Sequence, residues 1–328
     1  MRLRQTLLLA SAALPAITAS AHADVNVIAS IKPVHSLVAA VMKGAGKPAL
    51  IIEGAGSPHT YSLKPSQAAA LQDADVIFWI GDQLEAFLEK PIDTIGEKTR
   101  AVELIHSYGL ETLEFREGGA FEKHMHDEDE ETGHDDHEEE EHAEEEGHEH
   151  EHDHGEVDMH VWLDPMNAKA MVHEIAETLA EADPDNAALY EANAADVSGK
   201  LDRLTTELTA ELRPVKDTGY VVFHDAYQYF EHRFGLSAAG SITVSPDVMP
   251  GADRLREIQA KVRDLGATCV FAEPQFEPRL VTVATEGSNA RTGTLDPLGA
   301  AIEPGADLYF EVLRGMAKSF KGCLSGAS

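Results

Sequence analysis

The sequence predicts an α/β protein of two lobes, each with a mainly parallel sheet flanked by helices, joined by one long rigid helix. Three observations predict it. Short apolar runs alternate with helical patterns near the start of the chain, and the same alternation resumes after residue 219. Between them, Asn186 to Leu212 is a polar, Ala/Glu/Leu-rich helical stretch interrupted only by Gly199. Such a helix would run about 40 Å, too long for most compact single domains, so it reads as a beam between two. The length, 328 residues, suffices for two domains of ordinary size.

The elements follow in order. A basic start at Arg2 and Arg4, an apolar stretch from Thr6 to Ala19 and Ala21-His22-Ala23 form a signal peptide over residues 1–23, cut after Ala23. The apolar stretch is too short to span a membrane comfortably, so the mature chain is expected to be exported to the periplasm. Val25 to Ile31 reads as a strand, Pro33 opens a helix through Met42, and Ala49 to Ile52 is a second strand. A helix from Pro65 to Gln72 and an apolar strand from Val76 to Ile80 follow; apolar strands alternating with helices predict a parallel sheet covered on both faces. Asp164-Pro165 leads into a helix over Met166–Asp183, which Pro184 breaks. The N-terminal lobe is therefore set at 24–183, the linker helix at 184–214 and the C-terminal lobe at 215–328. In the last lobe, Gly219 to Phe223 is the first strand, with a helix at Gly251–Leu265, a strand at Cys269–Ala272 and a final helix at Tyr309–Lys321. No internal sequence repeat stands out.

One segment belongs to no element. His124, His126, His134, His137, His142, His148, His150, His152 and His154 lie in a field of Asp and Glu that makes residues 122–157 a loop expected to be disordered. That composition cannot build a core, but neutral imidazole is a preferred ligand for zinc, copper and nickel, and carboxylates can complete a shell. Ordinary acidic linkers are rich in Glu, Ser and Pro, not His. Transition-metal chemistry is the implication, with the tract either the site or an accessory to it. Of the formal charge of −32, Glu122–Asp158 holds −19 and the rest −13. Neither part has the basic patch that nucleic acid requires; the acidic field would concentrate cations.

The two cysteines, Cys269 and Cys323, read as a disulfide in an exported chain, with two free buried thiols as the other reading. Closing such a loop is worth about 4 kcal/mol in the chain-entropy model.

Metal sites on such lobes form at the C-terminal ends of strands, facing the crevice. Three histidines fall there. His59 lies in a turn-rich loop after the second strand, His160 where the acid tract ends, and His224 at the end of the second lobe's first strand. Zinc favours four ligands, so a carboxylate or water is needed besides. His35, His106, His173 and His232 have no companion histidine at helical spacing and read as structural, while His22 leaves with the signal peptide.

The stretches Ser30–Leu37, His59–Pro65, Asp158–Pro165, Val222–Phe230, Ala267–Phe276 and Thr292–Gly299 together resemble the metal-binding family of cluster A-I solute receptors, in particular its zinc-type receptors of bacterial ABC transporters. They are spread over the whole mature chain. The resemblance implies two lobes joined by a long helix, with Zn(II), the transported ligand, held between them by His59, His160 and His224. It further implies the Cys269–Cys323 disulfide and a flexible His/acid loop that binds metal weakly beside the site. Manganese-type relatives place a carboxylate where His224 stands, which favours zinc. Some relatives supply an acid beside the first histidine, but Pro58 holds that place; Asp296 matches a carboxylate position of others, so Asp296 or a water is the fourth ligand.

The expected function is periplasmic capture of zinc and delivery to an ABC permease by a monomer, with a periplasmic zinc chaperone as a second partner and no enzymatic activity. A zinc hydrolase is one alternative, although no His-Glu-x-x-His motif occurs and Glu273 is the nearest acid to serve as a base. A metal buffer or adhesion protein, with the tract as its main site, is another.

Overall fold

The computed structural model describes residues 25–95, 98–116, 121, 157–243, 251–264, 269–277 and 279–326. The expected signal peptide and the nine histidines of the acidic tract lie outside the described residues.

The first sheet is built from β1 (Val27–Ala29), β2 (Ala49–Leu50), β3 (Val76–Trp79) and β4 (Arg100–Glu103). All its pairings are parallel, in the order β2-β1-β3-β4. Its helices are α1 (Lys32–Val41), α2 (Pro65–Asp73) and α3 (Ala86–Ile95), followed after the tract by α4 (Pro165–Ala182). β1 and β3 are buried at every residue, as central parallel strands must be. Prolines start α1, α2 and α4, where a missing N–H costs nothing and φ is pre-set. Asp164 caps α4 by accepting from Met166 N at 2.7 Å.

α5 (Ala187–Leu212) runs unbroken for 26 residues, through Gly199. Tyr190, Val197, Leu201, Leu204, Leu208 and Leu212 form its buried stripe, and the opposite face is polar. The stripe packs on α1, α4 and the final helix, and so touches both halves of the molecule.

The second sheet comprises β5 (Tyr220–His224), β6 (Ser241–Thr243), β7 (Cys269–Ala272) and β8 (Arg291–Thr294), again all parallel, in the order β6-β5-β7-β8. The two lobes therefore share one strand order without a visible sequence repeat. The second lobe's helices are α6 (Gln228–Phe234), α7 (Ala252–Asp264), α8 (Arg279–Thr285) and α9 (Leu308–Leu324). Tyr220, Val222, Cys269 and Phe271 face a core continuous with the first lobe, whereas Val221, Phe223 and Val270 face a smaller cluster under α7 and α8. Cys269 and Cys323 are disulfide-bonded, tying β7 to α9 across 54 positions.

Sequence reasoning passed over α3, β4, α6, β6, α8 and β8. β4, β6 and β8 are edge strands with a partner on one side only; β4 and β8 are largely polar and exposed, and β6 is three residues long. α3 carries Pro91 in its interior, and α6 and α8 are seven residues each. Gly293 in β8 is required by packing, since a Cβ there would fall 2.6 Å from the Phe271 ring.

The lobes are joined by buried and half-buried polar contacts. Lys32 Nζ donates to the carbonyls of Gly299, Ala300 and Ile302 at 2.9–3.0 Å. Trp162 Nε1 donates to Pro297 O at 2.9 Å, and Arg233 forks onto the Asp164 carboxylate.

Candidate metal centre

His224 is the last residue of β5, a strand hydrogen-bonded on both sides, so its backbone position is set by the second sheet. Its Nδ1 lies 2.6 Å from Glu273 Oε1, just past the end of β7. His160 follows the acidic tract and precedes a short 3-10 turn, Val161–Leu163. Its Nδ1 lies 2.7 Å from Asp158 Oδ1, which also accepts the His160 backbone N–H at 3.0 Å. Asp158 is itself held, since Tyr229 donates its hydroxyl to Asp158 O at 2.6 Å. A carboxylate at Nδ1 selects the Nδ1–H tautomer and leaves the Nε2 lone pair free for a metal. His59 comes from the turn after β2; it is half-buried, and no carboxylate among the described residues hydrogen-bonds it.

The three rings converge. The Nε2 atoms of His160 and His224 are 3.3 Å apart. Ring centroids are 5.2 Å apart for that pair and 5.4 and 5.7 Å from His59 to each. One ligand atom from each histidine fits within a 4.8 Å group, which among the described residues is the one cluster of its kind. Trp162, Phe276, Pro297 and Leu298 wall a cavity of about 10 Å³ beside them. That is the space of roughly one water-sized sphere. The two lobes thus bring three imidazoles together around one small cavity.

Electrostatics differ around the ring. Burial, and then the neighbouring His160 and His224, push the His59 imidazole well below its ordinary value. At His224 burial also opposes charge, but Glu273, Asp225 and Asp158 outweigh it, and the net shift is upward. Asp225 belongs to a further cluster, in which the Arg116 guanidinium pairs with both Asp225 and Glu231. Tyr220 donates to Glu231 at 2.7 Å.

Asp296 stands outside the three-histidine group. Its Oδ1 accepts from Leu298 N, Gly299 N and Gln275 Nε2, and its Oδ2 from Ala300 N, so the carboxylate organises its own turn. The other histidines sit elsewhere. His35 is buried in α1 with Nε2 3.2 Å from Pro48 O, and His106 and His173 pair with Glu103 and Glu177 on the surface. The supporting carboxylates were missed as such: Asp158 stood two residues before a candidate ligand, which is a usable signal, while Glu273 is 49 positions from His224 and gives none.

Residues 27–323 match the family described as ZnuA, the periplasmic component A of the zinc-uptake complex. The chain is 55% identical to a high-affinity zinc uptake system protein ZnuA of Brucella suis over 99% of its own length and 100% of the relative's. It is 41% identical to a protein of the same description from Paracoccus denitrificans, over 98% and 99% of the two chains. A crystal structure of ZnuA superposes with a TM-score of 0.74 at 24% identity, covering 92% of this chain and all of the other, which speaks to the fold. Among the described residues no helix is long and apolar enough to cross a membrane. The chain belongs to the ZnuA family of periplasmic zinc-uptake components, which are solute-binding receptors and not enzymes.

Proposed function

We propose that the protein captures Zn(II) in the periplasm between its lobes and delivers it to the membrane permease of an ABC transporter. The observation that carries this is the convergence of His59, His160 and His224, two of them held by carboxylates, on one small cavity. In this reading the three Nε2 atoms bind zinc and a water completes a four-coordinate shell, Asp296 being occupied by its own turn. The histidines keep zinc without supplying a base: Glu273, the acid nearest to that role, is engaged with His224. We further propose that the protein is a monomer, that residues 1–23 are removed after Ala23, and that a periplasmic zinc chaperone is a second partner.

Calorimetry on the mature protein tests the site. One tight zinc site is expected, lost in His59→Ala; a tight site that survives the substitution refutes the assignment. The nine histidines of residues 124–154 favour a second reading, a metal buffer whose main site is the tract. Deletion of Glu122–Asp153 separates the two. The receptor reading expects the tight site to persist with only weak sites lost; disappearance of all tight binding would transfer the function to the tract.

A further inference from the structure

Three polar atoms lining the cavity beside the histidines are buried with no hydrogen-bond partner among the described residues: Ser57 Oγ, Glu273 Oε2 and Gln275 Oε1. The Glu273 oxygen has a neighbour in the Tyr227 hydroxyl, also unpartnered, and the two can satisfy each other. Among the described residues Gln275 Oε1 accepts no hydrogen bond. Its Nε2 donates to Asp296 Oδ1 at 3.0 Å. A carboxylate only accepts, so the amide nitrogen must face Asp296 and the oxygen must face the other way. Asp296 cannot swing aside, because the N–H groups of Leu298, Gly299 and Ala300 hold it. The result is a buried acceptor turned away from a held carboxylate, on a residue that lines the same cavity as the histidines. An acceptor in that position requires a donor.

We propose that Gln275 is a positioning residue for the zinc-bound water: its Oε1 accepts a hydrogen bond from the water that fills the fourth coordination place. This rests on the three-histidine reading above and adds the residue that orients the fourth ligand. The cation polarises the water's O–H bonds, which makes the water a strong donor. A neutral amide takes that hydrogen bond without removing the proton, so the fourth ligand stays an exchangeable water, as cargo that must be released requires. Asp296 then acts one step away from the metal, through Gln275, and not as a ligand.

A zinc-loaded crystal structure of the wild-type protein, with absorption at the zinc edge, tests the geometry. The expected shell is three nitrogens and one water oxygen, the latter about 2.7–3.0 Å from Gln275 Oε1. A carboxylate in the shell, or a water bonded elsewhere, overturns the proposal. Gln275→Met keeps the bulk and removes the acceptor, together with the Nε2 donor to Asp296. It should weaken zinc about 10–100-fold and alter the visible spectrum of the cobalt-loaded protein. Wild-type affinity and spectrum in Gln275→Met, with His59→Ala still abolishing tight binding, would sink this proposal and leave the three-histidine site standing. Tight binding that survives His59→Ala would sink that site itself. Should Gln275→Met fail to fold, the zinc-loaded wild-type structure decides alone.

Discussion

The two lobes share a strand order, yet the three converging histidines are held in different ways. His224 ends a central strand, is 3% exposed, and has Glu273 against its ring at 2.6 Å. His160 shares this style, with Asp158 behind it at 2.7 Å. His59 rides on a turn, is half-buried and carries no carboxylate among the described residues. The braced pair has its geometry and tautomer set before metal arrives, so little ordering entropy is lost on binding. No such brace fixes the His59 ring among the described residues.

The largest effects should come from deleting the ligands, and they should differ in kind. His224→Ala should weaken zinc on the order of 1,000-fold or more, beyond the roughly 10–100-fold of an outer partner. It also leaves Glu273 buried without its partner, so the metal-free protein should lose about 3 kcal/mol in a denaturant titration. His59→Ala should lose zinc comparably but leave metal-free stability within about 0.5 kcal/mol, as for sites free of buried partners. Equal stability losses in the two variants would erase the distinction between the braced and the unbraced histidine.

Next in size are the braces. Glu273→Gln should weaken zinc about 10–100-fold by releasing the His224 ring. Thr60→Ala, an exposed neighbour of His59, should change affinity less than about twofold. A large effect at Thr60 would mean that the turn is more constrained than its surroundings imply.

Acidity gives a third contrast. In the metal-free protein His224 holds its proton above the ordinary imidazole range, so zinc must displace it, and affinity should fall as pH drops through that raised value. Its contribution to metal-free stability has the opposite sign: present below about 6.5 and lost as pH rises through the raised value. His59, depressed, needs no deprotonation to bind zinc near neutrality, and its stability contribution runs the other way: present above about 6.5 and lost as pH falls below it. Calorimetry in buffers of different ionisation enthalpy should count a proton released near neutrality in the wild type and fewer in Glu273→Gln.

A smaller effect belongs to the fold alone. Glu85 is wholly buried, and burial raises its carboxyl to about 7. Its protonated form is the one the fold favours, so metal-free stability should decline by about 3 kcal/mol as pH rises from about 4.5 to 7. Glu85→Gln should flatten that decline without touching zinc affinity.

Much of the architecture is legible in the sequence because it is local. The apolar run Val76–Trp79 became β3, and the Leu-rich spacing of 197 to 212 became the stripe of α5. The polar edges β4 and β8 were illegible, since their pairing depends on a neighbour already in place. At the site, residue type and position along the chain picked out the three histidines that the fold brings together, whereas the backbone amides that hold Asp296 in its own turn are invisible in one dimension.

By itself the sequence determined that there would be two α/β halves and a beam, and that the chemistry would be that of imidazole and a transition metal. Periodicity and donor type are properties of adjacent residues, and they survive without a fold. Only the tertiary structure decided that His59, His160 and His224 meet, that Glu273 braces one of them, and that Asp296 faces backbone amides while Gln275 faces the cavity. Coordination and hydrogen bonding act over about 2–3 Å, and only the packing of both lobes on a shared core brings distant positions within that reach.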